Sequence, residues 1–487
     1  MPAVRKSLSS ALIWASIFTW IIVVGRLVVH RHNNFATFDF DLGIHDQSLW
    51  LLANGKWFNT VCGLPVFGHH AMFMYYFLVP FVWLGGGPNL WNMFQVAALA
   101  CAAYPVFLIA RHRLKSEASA LAFGVAWLLL PTTAYLAWET FHPETMAIPF
   151  LLMGYHYATS RPEGMGKHVT RHNVITIVWI AVAMLWKEDI SLAVMGLGIL
   201  LMFRKRIRFG AALFAGATLY FLVFAVWFVP HLAGELSAYG ALYGNLGTTP
   251  SEVVKTSLRH PSLFIDRLSD NNAIGYAGRI TSPLAFLPFL APLTLLMGIP
   301  QYFINILTTA DFTWAMMYHY QAVPNVAAIA AAIEGAAFLQ RRSRSLGRLG
   351  VAGVVVCAYI AANSWGLLPF GAKYNIGYWP HGTRDNSGWV AALDRIGPTD
   401  VVSAHYAFVP HAAQREIIYT FPNPWIKTNF LNDDSKFVSP SEVKWLVIKD
   451  GTLGQAPQDL LNQLIAQGEY GEAQTVAGIT TYKRLKP

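Results

Sequence analysis

The chain has 487 residues, 55% of them hydrophobic and only 13% charged. Apolar runs of roughly twenty residues recur from Ala11 to Phe370, which excludes an ordinary soluble globule and fits a polytopic helical membrane protein. The net charge of +9 does not point to nucleic acid, because the basic residues come in short clusters between apolar runs. Cys101 and Cys357 lie inside apolar runs, so the three cysteines imply no disulfide framework.

In chain order, Arg5 and Lys6 precede the first span, Ala11–Val29, and no small-residue cleavage site follows it. It reads as a retained anchor. The basic clusters Arg5/Lys6, Arg111/Arg113/Lys115, Arg161/Lys167/Arg171, Arg204/Lys205/Arg206/Arg208 and Arg341/Arg342/Arg344/Arg348 are all expected in the cytoplasm. An even number of spans must then separate each from the next. Two runs compete for the return before Arg111. Ala71–Leu84 is short and ends at Gly85-Gly86-Gly87-Pro88, so Leu90–Ala110 is the expected span. Residues 31–89 become one large external loop with short helices lying along the bilayer.

The following runs pair off. Ala118–Leu136 leads out and Thr145–Ala158 returns; Val174–Trp186 leads out and Ile190–Phe203 returns. Phe209–Val229 leads to a long external loop, 231–281. Pro283–Thr308, interrupted by Pro288, Pro292 and Pro300, reads as two short broken spans. Ala322–Leu339 returns and Leu349–Leu368 leads out, giving about eleven spans by length. The expected fold is therefore a mainly α-helical transmembrane domain, 1–370, with its N-terminus in the cytoplasm. A small soluble extracytoplasmic α/β domain, 371–487, follows. In that tail Val401–Ser403, Ile417–Thr420, Trp445–Ile448 and Gly478–Arg484 read as strands and Gln458–Gln467 as a helix. About 115 residues suffice for a core of their own. No internal repeat is visible, which weakens an inverted-repeat transporter reading.

Directly after the first span, Phe38–Gln47 carries Asp39, Asp41, His45 and Asp46. This topology sends three further polar turns to the same outer face: Trp138–Glu144, Lys187–Asp189 and Tyr318–Tyr320. Charged groups at a bilayer edge are costly to desolvate, so their convergence marks a candidate site. Bland readings exist for each. Asp41 can cap the helix expected over Leu42–Ala53. Asp39 and Lys187-Glu188-Asp189 can be solvated, and His142 before Pro143 can be a satisfied structural histidine. Glu334, inside a span, is left unassigned.

The chemistry of these side chains is coherent. A carboxylate near apolar surface suits general-base work on a hydroxyl. Lys187, His142 and His319, with Arg279, can neutralise a phosphate leaving group. Carboxylates with histidine can alternatively hold a divalent metal such as Mg or Mn, with Asp41, Asp46 and His142 as the candidates. No phosphate-cradling glycine loop, His-Glu-x-x-His or Gly-x-Ser-x-Gly is present.

Phe40-Asp41-Leu42-Gly43-Ile44-His45-Asp46-Gln47, followed by Leu49-Trp50 and Gly55-Lys56-Trp57, resembles the signature of the membrane proteins called domain of unknown function 2079. Phe141-His142-Pro143-Glu144, Lys187-Glu188-Asp189, Pro410-His411 through Arg415, Ile417–Tyr419 and Phe421-Pro422 match as well. Gly68-His69-His70 departs from the expected Gly-Asp-His, leaving His70 matched and His69 not. That family is in turn similar to the GT-C glycosyltransferases, which include protein mannosyltransferases and aminoarabinose transferases. The resemblance implies a polyprenyl-phosphate sugar as donor and inversion at the anomeric carbon. It also implies Asp41 as the catalytic acidic residue of the first external loop, with Asp46 at a second acidic position.

The expected function is thus sugar transfer at the outer face of the cytoplasmic membrane, to a hydroxyl of an envelope glycan, lipid or protein. Asp41 and Asp46 act on the acceptor, and His70, His142, Glu144, Lys187, Glu188, Asp189 and His319 bind the donor. Two rivals remain at this stage. A transporter or flippase would use Glu334 and the proline-broken stretch. A non-catalytic scaffold would bind an envelope partner through its tail.

Overall fold

The computed structural model describes residues 2–160, 171–234, 238–382, 386–428 and 438–485; Arg161 and Lys167 of the expected cytoplasmic clusters lie outside them. Five helical stretches are long and apolar enough to cross a bilayer: Leu8–Asn33, Pro88–Leu114, Ile207–Ala233, His319–Arg342 and Arg344–Trp365. The helices Glu117–Leu129 and Pro131–Glu139 make a sixth if counted as one, bent by 44° at a break where Pro131 has no amide hydrogen to donate. Arg171–Met184 and Ile190–Phe203 are apolar but only 14 residues each. The chain is a multi-pass membrane protein, and among the described residues helices of spanning length do not reach eleven. Within 283–308 the backbone folds into short turns, Leu287–Leu290 and Pro292–Leu295, and an eight-residue helix, Ile299–Ile306. That helix is too short to cross. Three prolines fragment the run as expected, into pieces shorter than spans.

Those pieces pack on the Ala322–Arg342 helix, the most buried of the bundle. Its alanines and Gly335 leave room for a close approach of backbones. A Cβ on Gly335 would overlap the Leu287 carbonyl oxygen. Near its far end the same helix carries Glu334, which accepts hydrogen bonds from Tyr155 Oη at 2.9 Å and Arg204 Nη2 at 2.9 Å. Arg113 Nε lies 2.8 Å from the same oxygen. Glu334 therefore ties three other elements together, roughly 20 Å along the axis from His319 at the opposite end.

Between the first two long helices lie the helices Ile44–Ala53 and Tyr75–Trp83 and a two-stranded hairpin, Phe58–Asn59 with Leu64–Pro65. Tyr75–Trp83 has nine residues, too few to span. The C-terminal segment forms a five-stranded sheet in the order Ile418–Thr420, Val402–Ala404, Trp445–Lys449, Ile479–Arg484, Tyr470–Val476. The first two pairings are parallel and the last two antiparallel. The Trp445–Lys449 strand is buried on both faces, hence its unbroken apolar run. Leu446 and Ile448 pack with Leu461 and Leu464 of the Gln455–Ala466 helix. Trp445 and Val447 belong to a core that also contains Phe35, Ile44, Val61 and Leu64 of the first loop. The tail thus completes its own sheet but shares half its core with that loop.

Gly335→Ala is expected to cost about 1–3 kcal/mol, because it forces the Leu287 turn off the helix. A lowered apparent melting temperature of the detergent-solubilised protein checks this; an unchanged melt contradicts the contact.

Candidate functional site

The first loop presents Asp41 through an unusual backbone. In the turn Asp39–Gly43, Asp41 has φ +68° and ψ −82°, close to a tight γ-turn, a rare and strained conformation for a residue with a Cβ. Asp41 does not cap the following helix: Gly43 occupies the cap position and no side chain bonds there. Its Oδ1 instead lies 3.2 Å from His142 Nε2. His142 sits where the Pro131–Glu139 helix ends and the Pro143–Thr159 helix begins, with Thr140 at φ +101° reversing the chain. Two amides of the Pro88–Cys101 helix hold this reversal. Asn92 Oδ1 accepts from the Phe141 amide at 3.0 Å, and Gln95 Oε1 accepts from the His142 amide at 2.5 Å.

Around this pair the turns converge as their common face required. His319 stacks on His142 with ring centroids 4.0 Å apart, and its Nδ1 lies 2.9 Å from Glu139 Oε1. His319 Nε2 lies 3.4 Å from Glu144 Oε1, which also accepts from Lys187 Nζ at 3.0 Å. Lys187 Nζ reaches Asp189 Oδ2 at 3.4 Å. Asp41, His70, His142, Glu144, Lys187, Asp189 and His319 line one cavity of about 140 Å³. Glu188 does not line it; it accepts from His70 Nδ1 at 2.7 Å and the Ala71 amide at 2.9 Å, fixing His70 from behind. Arg279, named for phosphate binding, is absent from the lining.

Several lining residues had gone unassigned. His45 and His69 form part of the wall, as do Gln301 and Asn305. The last two sit four residues apart on the Ile299–Ile306 helix, Gln301 Nε2 donating to Asn305 Oδ1 at 2.8 Å. Two amides on one face of an apolar, proline-broken stretch were a readable sign of a polar lining. Glu139 belonged to the flagged Trp138–Glu144 turn but had been given no role.

Charge in the cavity is strongly coupled. Burial alone would raise the Asp41 carboxyl, but His142 first, then His319 and His45, outweigh it and hold it well below the usual carboxylate range. Burial would likewise lower His142, yet Asp41 and Glu139 raise it to about 10. At neutral pH the two are an imidazolium–carboxylate pair. Lys187 is held well above its ordinary value, because Asp189, Glu144 and Glu188 overcome its burial.

Asp41, Glu139, His142 and His319 each offer a ligand atom, all within 4.8 Å of one another. Glu139 Oε2 is buried without a hydrogen-bond partner. Two imidazoles with two carboxylates suit Mn or Zn better than Mg, which prefers oxygen. Asp46 is not in this set.

The other acids of the opening motif turn toward the tail. Asp46 Oδ1 accepts from Trp91 Nε1 at 2.7 Å and from Gln414 Nε2 at 3.0 Å, and Asp46 does not line the cavity. Asp39, read as a candidate for solvation, is buried and accepts from Thr420 Oγ1 at 2.6 Å. Gln47 Nε2 donates to the carbonyls of Arg415 and Glu416 at 3.3 and 3.2 Å, and Thr60 Oγ1 donates to Ile418 O at 2.7 Å. The matched tail motif around Pro410–Pro422 is thus the part that docks on the first loop.

The fold is similar to that of ArnT from Cupriavidus metallidurans in the apo state, a GT-C glycosyltransferase, with TM-score 0.55 over 98% of each chain and 12% sequence identity. At that identity the likeness is one of fold. The chain is a multi-pass membrane protein whose fold is similar to that of ArnT. The profile of the predicted membrane proteins DUF2079 matches residues 31–480, and the chain belongs to that family. No curated protein matches it.

Burial pushes the Asp46 carboxyl up to about 7, against the hydrogen bonds from Gln414 and Trp91. The folded chain therefore keeps a proton that the unfolded chain releases above the ordinary value of 3.8. Stability from this group is complete below that value and is lost as pH rises toward 7. Asp46→Asn keeps an acceptor for Trp91 and Gln414 and is expected to flatten this decline. Melting temperature against pH measures it; parallel declines in variant and wild type would contradict the assignment.

Proposed function

We propose that this protein is a glycosyltransferase of the cytoplasmic membrane. It moves a sugar from a polyprenyl-phosphate donor to a hydroxyl of an envelope glycan, lipid or protein on the outer face. The observation that carries this reading is the pairing of Asp41 with His142 in a cavity that also gathers Lys187, His70 and His319, on a GT-C-like fold. In the reaction the acceptor oxygen bonds to the anomeric carbon on the side opposite the phosphate. The carbon–oxygen bond to phosphate breaks, and the electron pair leaves with the polyprenyl phosphate. The acceptor's proton passes to Asp41.

The pairing bears on how Asp41 becomes a base. Tied to an imidazolium, its carboxylate is a poor proton acceptor. A donor phosphate drawn to His142 and Lys187 would compete for those positive groups and raise the basicity of Asp41 when substrate is bound. Asp46 serves this chemistry as a positioning residue, since it joins the first loop to Gln414 rather than facing the cavity. Asp41, Glu139, His142 and His319 are the residues that would hold a divalent metal, which would supply Lewis-acid stabilisation of the departing phosphate.

Orientation follows the same reading. The N-terminus and the face around Glu334, where Arg113 and Arg204 gather, are cytoplasmic by charge. The first loop and the domain 371–487 then lie outside. The transport reading rested on Glu334 and the proline-broken stretch; that carboxylate is engaged by two arginines and a tyrosine, and Gln301 and Asn305 of that stretch line the Asp41 cavity. A scaffold has no use for a buried ionic cavity, which costs desolvation energy.

Asp41→Asn in proteoliposomes supplied with polyprenyl-phosphate sugars is expected to lower transfer by about two to four orders of magnitude while donor binding persists. Equal turnover of variant and wild type sinks the role of Asp41.

A further inference from the structure

A second cavity, of about 660 Å³, opens where the first loop, the segment before the tail sheet and the sheet itself meet. Its volume lies within the range of about 300–1,000 Å³ typical of small-ligand sites. Two backbone segments contribute to both cavities. Phe38 lines this one and Asp41 the other; Trp138 lines this one and His142 the other.

The lining has two chemical components. The first is aromatic. Phe38 and Tyr406 are 44% and 43% exposed, with ring centroids 5.9 Å apart across the junction of loop and tail. Trp138 and Tyr378 stand edge to face behind them at 5.3 Å. Large rings left uncovered around a concavity offer flat, electron-rich faces to the C–H surface of a pyranose ring. The second component is cationic. Arg31 is 1% exposed, with its guanidinium 4.1 Å from the centroid of Trp138 and 5.4 Å from that of Phe38. Lys449 Nζ lies 5.5 Å from the Trp389 ring. Among the described residues neither cation forms an ion pair. Glu139 acts on Arg31 only from longer range. Two cations without a carboxylate partner, in an aromatic cavity, select for an anion that brings its own ring.

We infer that this cavity seats the acceptor, and that the acceptor is an anionic saccharide. Its ring packs on Phe38 and Tyr406 and its acidic group lies between Arg31 and Lys449. The assignment to an acceptor rests on the transferase reading; the binding itself does not. Carboxylate and phosphate present the same chemistry to Arg31 and Lys449, so both sources are probed.

Calorimetric titration of the full-length protein in lipid nanodiscs, with trigalacturonate, glucose 6-phosphate and neutral maltotriose, tests the inference. Saturable binding of at least one acidic probe, tighter than that of maltotriose, is expected. Lys449→Met should weaken the acidic probe about tenfold and leave maltotriose unaffected. Tyr406→Ala should weaken acidic and neutral probes alike. Both side chains are partly exposed, and melting temperature confirms that the variants fold. Absence of saturable binding, equal binding of acidic and neutral sugars, or variants that bind as wild type overturn the inference. Sugar transfer in the same nanodiscs separates it from the reading beneath it. Binding without transfer removes the transferase and keeps the site; transfer without binding removes the site alone.

Discussion

Everything at this end of the helix bundle depends on holding the half-buried Asp41 against the buried His142. A carboxylate and an imidazolium so placed are stable only if the attraction between them exceeds the loss of hydration, and that needs both partners fixed. The chain fixes them by backbone means. Asp41 is held at positive φ by the turn that contains it, and the His142 reversal is pinned through its amides by Asn92 and Gln95. Neither position relies on a helix to aim the side chain. The strain lies in the two turns that meet, and the packed helices beneath them absorb it.

Once that pair is set, the remaining charges have little freedom. His319 stacks on His142 and reaches Glu139; Glu144 then bridges His319 and Lys187. Each group satisfies one neighbour while touching another, so the charges form one connected network rather than separate pairs. A cluster so balanced responds to any added anion or cation by redistributing charge. That property suits a site whose ligand carries a phosphate.

The first loop works as a wedge between two bodies. Its Asp41 faces the helix bundle, while Asp39, Asp46 and Gln47 bond to the tail or to residues that carry it. Phe35, Ile44, Val61 and Leu64 supply apolar surface to one face of the tail sheet. The sheet and the turn that carries Asp41 are therefore in direct contact, and a ligand held against the tail lies next to the segments that hold Asp41 and His142. Two cavities built on the same two strips of backbone are the consequence.

The amino-acid sequence by itself determined where the long apolar helices run and four of the five strands of the tail sheet, Tyr470–Val476 being the one it missed. Those features depend on hydrophobic period, charge clusters and proline, all of which are local. It also brought out Asp41, His142, Lys187 and His319 as residues out of place at a membrane edge. Only the tertiary structure decided what each one does. Asp41 could have capped a helix, but its carboxylate lies against His142; Asp46, expected beside it, bonds Gln414, 368 residues away in sequence. Glu139 stood in the Trp138–Glu144 turn without an assigned role, and its partner is His319 on a different helix. The physical reason is common to all three. A carboxylate's role is set by its desolvation and by the charges within a few ångströms, and in this chain those come from segments that only the fold brings together.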